Sequence, residues 1–169
     1  MKPISKRLLF REIEESDVEI LHDSFSDPET MKYWLGGLTS SIEETRQKVE
    51  EMKKHWLEYG HGDWIITSKD GEDILGYCGL HHVEEMEEVN ISYVINKKFW
   101  GKGLASEAAI AAIQFGFEHL EFKQVVAVIH PENRGSAQVA LNSGMNFWKE
   151  FTWKEQARLA YQIFPQSVK

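Results

Sequence analysis

Apolar and polar positions alternate along this chain in two different periods. Arg7–Ile13 (RLLFREI) reads as a first strand, and Asp17–Ser24 as a short helix. A longer helix is the clearest element. Ser41-Ile42-Glu43-Glu44 is a capping box, with Ser41 placed to accept from a first-turn amide and Glu44 to reach back. Ile42, Thr45, Val49, Met52, Trp56 and Tyr59 then recur every three or four residues, and Gly60 and Gly62 stop the helix. Trp64–Lys69 and Ile74–His81 are apolar runs joined through Asp70-Gly71, a hairpin signal. Val89–Ile95 predicts another strand after the polar segment Glu84–Glu88. Leu104–Glu118 is a helix apolar on most sides and therefore buried. Gln124–His130 is a β-branched strand stopped by Pro131, Ser136–Ser143 a short helix closed by Gly144, and Phe147–Trp153 and Arg158–Phe164 are the last strands. A three-strand meander followed by β–α–β places the chain in the α+β class.

Composition narrows the class. The chain has 169 residues, one domain's worth, with neither repeat nor linker. A single cysteine, Cys78, can form neither an intrachain disulfide nor a cysteine zinc site, which points to a reducing compartment. The opening Met-Lys-Pro-Ile-Ser-Lys-Arg has no apolar signal core and no apolar run approaches a membrane span, so a cytoplasmic location is expected. The net charge of −8 disfavours nucleic acid and anionic lipid and weakly attracts cationic partners such as amines.

Candidate chemistry lies where the Val89–Ile95 strand passes into the buried helix. After Ile95, the segment Asn96–Ser106 contains Trp100-Gly101-Lys102-Gly103-Leu104-Ala105-Ser106 and no acidic residue. Two glycines let successive amides point at one spot, and the helix N-terminus adds unpaired N–H groups. Together they suit a phosphate or pyrophosphate, with Lys97, Lys98 and Lys102 supplying positive charge. The Walker pattern is absent. The dinucleotide pattern starts at Gly101 but meets Ser106 at its last position, which disfavours a dinucleotide-binding oxidoreductase. A second segment, His130-Pro131-Glu132-Asn133-Arg134-Gly135-Ser136, ends a strand and opens a helix. Asn133 and Ser136 there read either as turn and N-cap or as ligands to the amide arm of an elongated molecule.

At this spacing the two segments resemble the GNAT superfamily of acetyl-CoA-dependent N-acetyltransferases, and more narrowly its RimJ/RimL-like branch. The pyrophosphate loop of that superfamily maps on Trp100–Ala105, and the branch's form W-G-x-G-x-A-x-E-A is matched through Glu107-Ala108. Asn133, Ser136 and Gly144-Met145 match its second motif with Met in place of Phe, and RLLFREIEESD and Phe25–Glu29 resemble its start. The resemblance implies a GNAT fold: a central mixed, mostly antiparallel sheet flanked by helices and splayed between Val89–Ile95 and Gln124–His130, with the pantetheine arm in the gap. It implies direct attack of an amine on the thioester in a ternary complex. Ile95, the loop Trp100–Ser106, Asn133 and Ser136 would bind CoA.

The chain also departs from its relatives. Many place Glu where Asn90 stands here, and Asn is no base; Glu88, two residues earlier, is the replacement candidate by strand alternation. The tyrosine many use falls at Ala140, which leaves Ser136 as the hydroxyl for the departing thiolate. Tyr33, Trp34 and His81 are acceptor-site candidates. No metal is expected, since His61, His81 and His82 lack ligand spacing to an acidic partner. Cys78 reads as a buried strand residue. The acceptor is expected to be a protein N-terminal α-amine or a small-molecule amine. A site lacking a strong base favours an α-amine, of pKa near 7.7–8.0, over lysine at about 10.4. A CoA-binding regulatory protein without catalysis is the rival reading, and the resemblance leaves room for a homodimer.

Overall fold

The computed structural model describes residues 1–34, 36–83 and 86–165. Leu35, Glu84 and Glu85, which the loop and acidic-run readings included, lie outside the described residues. Seven strands form one sheet: β1 (Leu8–Glu12), β2 (Asp63–Ser68), β3 (Ile74–His82), β4 (Val89–Ile95), β5 (Val125–Ile129), β6 (Asn146–Trp153) and β7 (Gln156–Ile163). Among the described residues four α-helices accompany it: α1 (Val18–Phe25), α2 (Ile42–Tyr59), α3 (Leu104–His119) and α4 (Arg134–Asn142). The order across the sheet is β1-β2-β3-β4-β5-β7-β6, every pair antiparallel except β4–β5. That one parallel pair follows from the β4–α3–β5 crossover, which must return the chain in the same direction.

Two apolar layers sandwich the sheet. Alternate residues Val89, Ile91 and Ile95 of β4 and Val125, Ala127 and Ile129 of β5 pack against the small-residue face of α3, where Ala108, Ala109 and Ala112 let helix and sheet approach closely. The opposite face buries Ile65, Tyr77 and Val94 under Val18, Leu21 and Phe25 of α1 and Val49 of α2. Half of the capping box expected at Ser41 forms: its hydroxyl accepts from Glu44 N–H, but the Glu44 carboxylate accepts from the N–H of Ser40, one residue before the cap. Among the described residues no helix is long and apolar enough to cross a membrane.

Two boundaries differ from the sequence reading by two residues, the others by one at most. The β6–β7 hairpin turns on Lys154 and Glu155, both at positive φ (48° and 62°), so β7 begins two residues before Arg158. This primed two-residue turn lacks the Asn or Gly that usually announces it. Likewise α4 starts at Arg134 with Asn133 as its N-cap, so Ser136 is not the cap.

Candidate active site

The parallel β4–β5 ladder contains only two pairs, Val89 with Val125 and Asn90 with Val126. Beyond them the strands part and open a cleft of about 1140 Å³, lined by Asn90–Ile95 on one side and Ala127–His130 on the other. The Asn90 side chain sits at the fork, and its Oδ1 accepts from Val128 N–H at 3.2 Å. It thus satisfies an amide that the ladder has abandoned. Asn90 is therefore a wedge at the mouth of the splay, with its acceptor oxygen already engaged.

The anion loop occupies one end of the cleft. Asn96 caps a single 3₁₀ turn (Lys97–Phe99) by accepting from Lys98 N–H. The Trp100 indole donates to the Ile95 carbonyl at 2.7 Å and ties the loop to the end of β4. Gly101 and Gly103 both take left-handed backbone, φ 76° and 71°, and Gly103 is the N-cap of α3. This geometry leaves the first-turn amides at Leu104–Ser106 without intrahelical acceptors, on a cleft wall. Such a cradle can hold a pyrophosphate. Lys97 is paired with Glu29, whereas Lys98 and Lys102 lie over the Phe99 ring at 4.8 and 5.5 Å.

Glu107 braces this loop from behind. Its carboxylate accepts from Ser5, from Arg7 N–H at 2.7 Å and from Arg7 Nε at 2.5 Å, while Arg7 also donates to the Lys102 carbonyl at 3.0 Å. Burial alone would raise the Glu107 carboxyl, but these hydrogen bonds outweigh it and hold it below its ordinary value. The sequence motif included Glu107, yet only the fold shows that its partners are Ser5 and Arg7, about 100 residues earlier and just ahead of β1.

On the α3–α4 face, Asn133 Oδ1 accepts from Ser136 N–H at 3.0 Å, so its side chain is occupied as a cap. The Ser136 hydroxyl lies 3.0 Å from the Tyr93 phenol, which donates to the Ser136 carbonyl at 2.9 Å. Burial raises the Tyr93 pKa and keeps the phenol protonated. Sequence reading missed Tyr93, because a tyrosine inside a strand carries no signal of which face it shares with a first-turn helix residue 43 positions on.

On the opposite face a second group converges. His81 Nε2 lies 3.0 Å from Asp63 Oδ1 and 2.7 Å from the Ser92 hydroxyl. Asp63 is 2% exposed and reaches over β3 because its neighbour is Gly79, where an added Cβ would lie 2.2 Å from Asp63 Oδ1. Burial lowers the His81 pKa, but the charge and hydrogen bond of Asp63 outweigh it, so the net shift is upward. His55 packs on His81 with ring centres 5.5 Å apart. Its Nδ1–H donates to the His61 carbonyl and its Nε2 accepts from His82 N–H, which fixes it as a neutral ring. His61 is pushed down to about 4, mainly by burial. Asp63 was not singled out from sequence: its meeting with His81 depends on the β2–β3 register.

Tyr33 and Trp34 line the same half of the cleft. Tyr33 lies against the His130 ring at 4.9 Å, and Trp34 meets Tyr77 edge-on at 6.3 Å. Glu88 is not brought in: it lies in the bend ahead of β4 and outside the cleft lining, so strand alternation does not carry it onto the face of Asn90. Cys78 is fully buried in β3 with its thiol pushed up by burial.

A split parallel pair with a glycine loop at one end is the arrangement that the resemblance of the sequence implied. Residues 7–146 match the family model described as Acetyltransferase (GNAT) domain, and the chain belongs to that family. It is 31% identical over 147 residues to the uncharacterized N-acetyltransferase p20 of Bacillus licheniformis, covering 86% of this chain and 82% of that one. A crystal structure of a GNAT acetyltransferase from Bacillus anthracis superposes with a TM-score of 0.86 at 27% identity, covering 98% of this chain and 99% of that one. The spermidine N-acetyltransferase of Vibrio cholerae, solved with CoA and spermine, shares the fold at a TM-score of 0.79 and 17% identity, covering 95% and 97%. The chain is thus a GNAT-family acetyltransferase.

Proposed function

We propose that this enzyme transfers an acetyl group from acetyl-CoA to a primary amine by direct attack in a ternary complex. The observation that carries the proposal is the two-sided cleft: the anion loop and Tyr93–Ser136 stand on one face of the split strands, His81–Asp63 on the other. The loop would take the pyrophosphate, and the free edges of β4 and β5 would take the pantetheine amides. Asp63 accepts the Nε2 proton of His81, which leaves Nδ1 as the nitrogen able to receive the proton of the attacking amine. The phenol of Tyr93, hydrogen-bonded to Ser136, would protonate or hydrogen-bond the departing thiolate. A phenol is the better acid of the two, which refines the role expected of Ser136 alone. The RimJ/RimL-like form of the loop supports an α-amine acceptor, and the fold shared with a spermidine acetyltransferase supports a small amine. A cytoplasmic location is supported by the use of acetyl-CoA and by a single cysteine, Cys78, that can form no intrachain disulfide.

The test is acetyl-CoA turnover against small amines and matched peptides across pH 6–9. A base with a raised pKa is inactive below that pKa and active above it. The rate should therefore rise with pH through a midpoint above the ordinary 6.5 of histidine. Asp63→Asn removes the charge and hydrogen bond that hold the proton on His81, so the midpoint should fall while the maximum rate drops. CoA binding without turnover of any amine would instead establish a regulatory protein. A profile untouched by Asp63→Asn and His81→Gln would remove the dyad from the mechanism.

A further inference from the structure

The acceptor half of the cleft contains a cation that the proposed transfer does not use. Arg158, on β7, is only 3% exposed and lines the cleft. Its guanidinium donates to the Ala157 carbonyl and the Gln156 side-chain oxygen, each at 2.8 Å, both neutral acceptors of its own strand. No carboxylate lies within ion-pair distance of it among the described residues. A buried guanidinium has five N–H donors, and a buried charge ordinarily has a counter-charge. Burial accordingly lowers the pKa of Arg158 without any opposing carboxylate.

A second observation falls in the same place. The indole N–H of Trp153, on β6, also lines the cleft and is the one buried side-chain polar atom without a hydrogen-bond partner among the described residues. The pairings Trp153 with Gln156 and Phe151 with Arg158 put both side chains on one face of the β6–β7 hairpin. It is the face of His81 and Ser92, because His81 pairs with Asn90, Asn90 with Val126 and Val126 with Gln162. Among the described residues the cleft's own carboxylates are committed elsewhere. Asp63 is held by His81, Glu29 is paired with Lys97, and Glu51 acts on Lys48.

We propose that Arg158 and the Trp153 N–H form a seat for the carboxylate of the acceptor, so that the substrate is an elongated amine with a carboxylate at its far end. This rests on the acetyl-transfer reading for the amine end only. Arg158 lies four residues along β7 and three strands across the sheet from His81, about 13 Å by about 14 Å between backbones, a span that the two long side chains shorten from either end. An α-amino acid, with both groups on one carbon, is too short to reach from one to the other; an ω-amino acid is not. A polyamine would set a second cation against Arg158 and is disfavoured by the same charge.

The experiment compares three series as acceptors: ω-amino acids from aminobutanoate to aminooctanoate, their neutral amides, and α,ω-diamines of matched length. The ω-amino acids should be used with kcat/KM about 10–100-fold above the amides, the range expected for hydrogen bonds to a charged group. Arg158→Gln should bring that ratio near one, and Trp153→Phe, which removes only the donor, should lower it in part. Arg158→Lys keeps the charge without the planar fork and carries the test if the Gln variant does not fold. Binding of hexanoate, which has no amine, is followed separately through the indole N–H resonance that Trp153→Phe deletes. Hexanoate bound by the native protein and lost in the Arg158 variant establishes the seat even if no amine is acetylated, in which case the transfer reading alone fails. Amides or diamines used as well as ω-amino acids, or hexanoate bound by neither protein, overturn the proposal.

Discussion

Asn90 gives the sharpest test of how the cleft is built. The glutamate that the resemblance implies at this point invites a catalytic reading, but here the side chain accepts the Val128 amide proton at 3.2 Å, two residues past the last parallel partner on β5. Asn90→Ala leaves that amide without a partner. An unsatisfied buried donor costs about 1–3 kcal/mol, and since Asn90 and Val128 are both half-buried the lower part of the range, about 1–2 kcal/mol, applies. For a domain of this size that is a fall in Tm of about 2–8 °C. Asn90→Asp keeps an acceptor oxygen and should recover most of the loss. Its charge, cross-strand from His81, should also move the pH midpoint of activity upward. Thermal unfolding and steady-state kinetics on the same preparations read both effects. The maximum rate of Asn90→Ala should fall less than about tenfold, since the side chain positions strands rather than protons. An Asn90→Ala protein of native Tm whose rate falls a hundredfold would refute this and return Asn90 to the reacting groups.

Two other substitutions separate local geometry from chemistry. Gly79→Ala would put a Cβ 2.2 Å from Asp63 Oδ1 and 2.7 Å from Asp63 Cα, so β2 and β3 must move apart. A loss of about 1–3 kcal/mol in denaturant unfolding is expected, together with a displaced pH profile, whereas native stability and an unaltered midpoint would contradict the Asp63 slot. Gly103→Ala meets only Arg7 Nη2 at 3.7 Å, so its cost is the left-handed backbone at φ 71°, about 1 kcal/mol. Calorimetry should then show weakened CoA binding in a folded protein, and unchanged affinity would reduce the loop to a tight connection.

The local periodicities determined the elements of this protein. The Ser41 cap, the 3.6-residue stripe of α2, the Asp70-Gly71 hairpin and the apolar α3 are short-range features, and each was legible because its physics is contained within a turn or two of chain. The glycine loop was legible for the same reason: two left-handed glycines and the helix start they open are set within a few residues of chain. What the tertiary structure decided is which distant residues meet. Alternation suggested Glu88 as the base, but the strand begins one residue too late for that, and the register of three strands instead sets His81 against Asp63 and Ser92. Asn133 rather than Ser136 caps α4, because Ser136 is turned toward Tyr93 across the splay. Arg158, which has no carboxylate partner among the described residues, and the unpartnered Trp153 N–H belong to a hairpin whose positive-φ turn has no glycine or asparagine to signal it. Their common face follows from pairings that no stretch of local sequence contains, because register is settled by the packing of whole strands rather than by the residues beside each side chain.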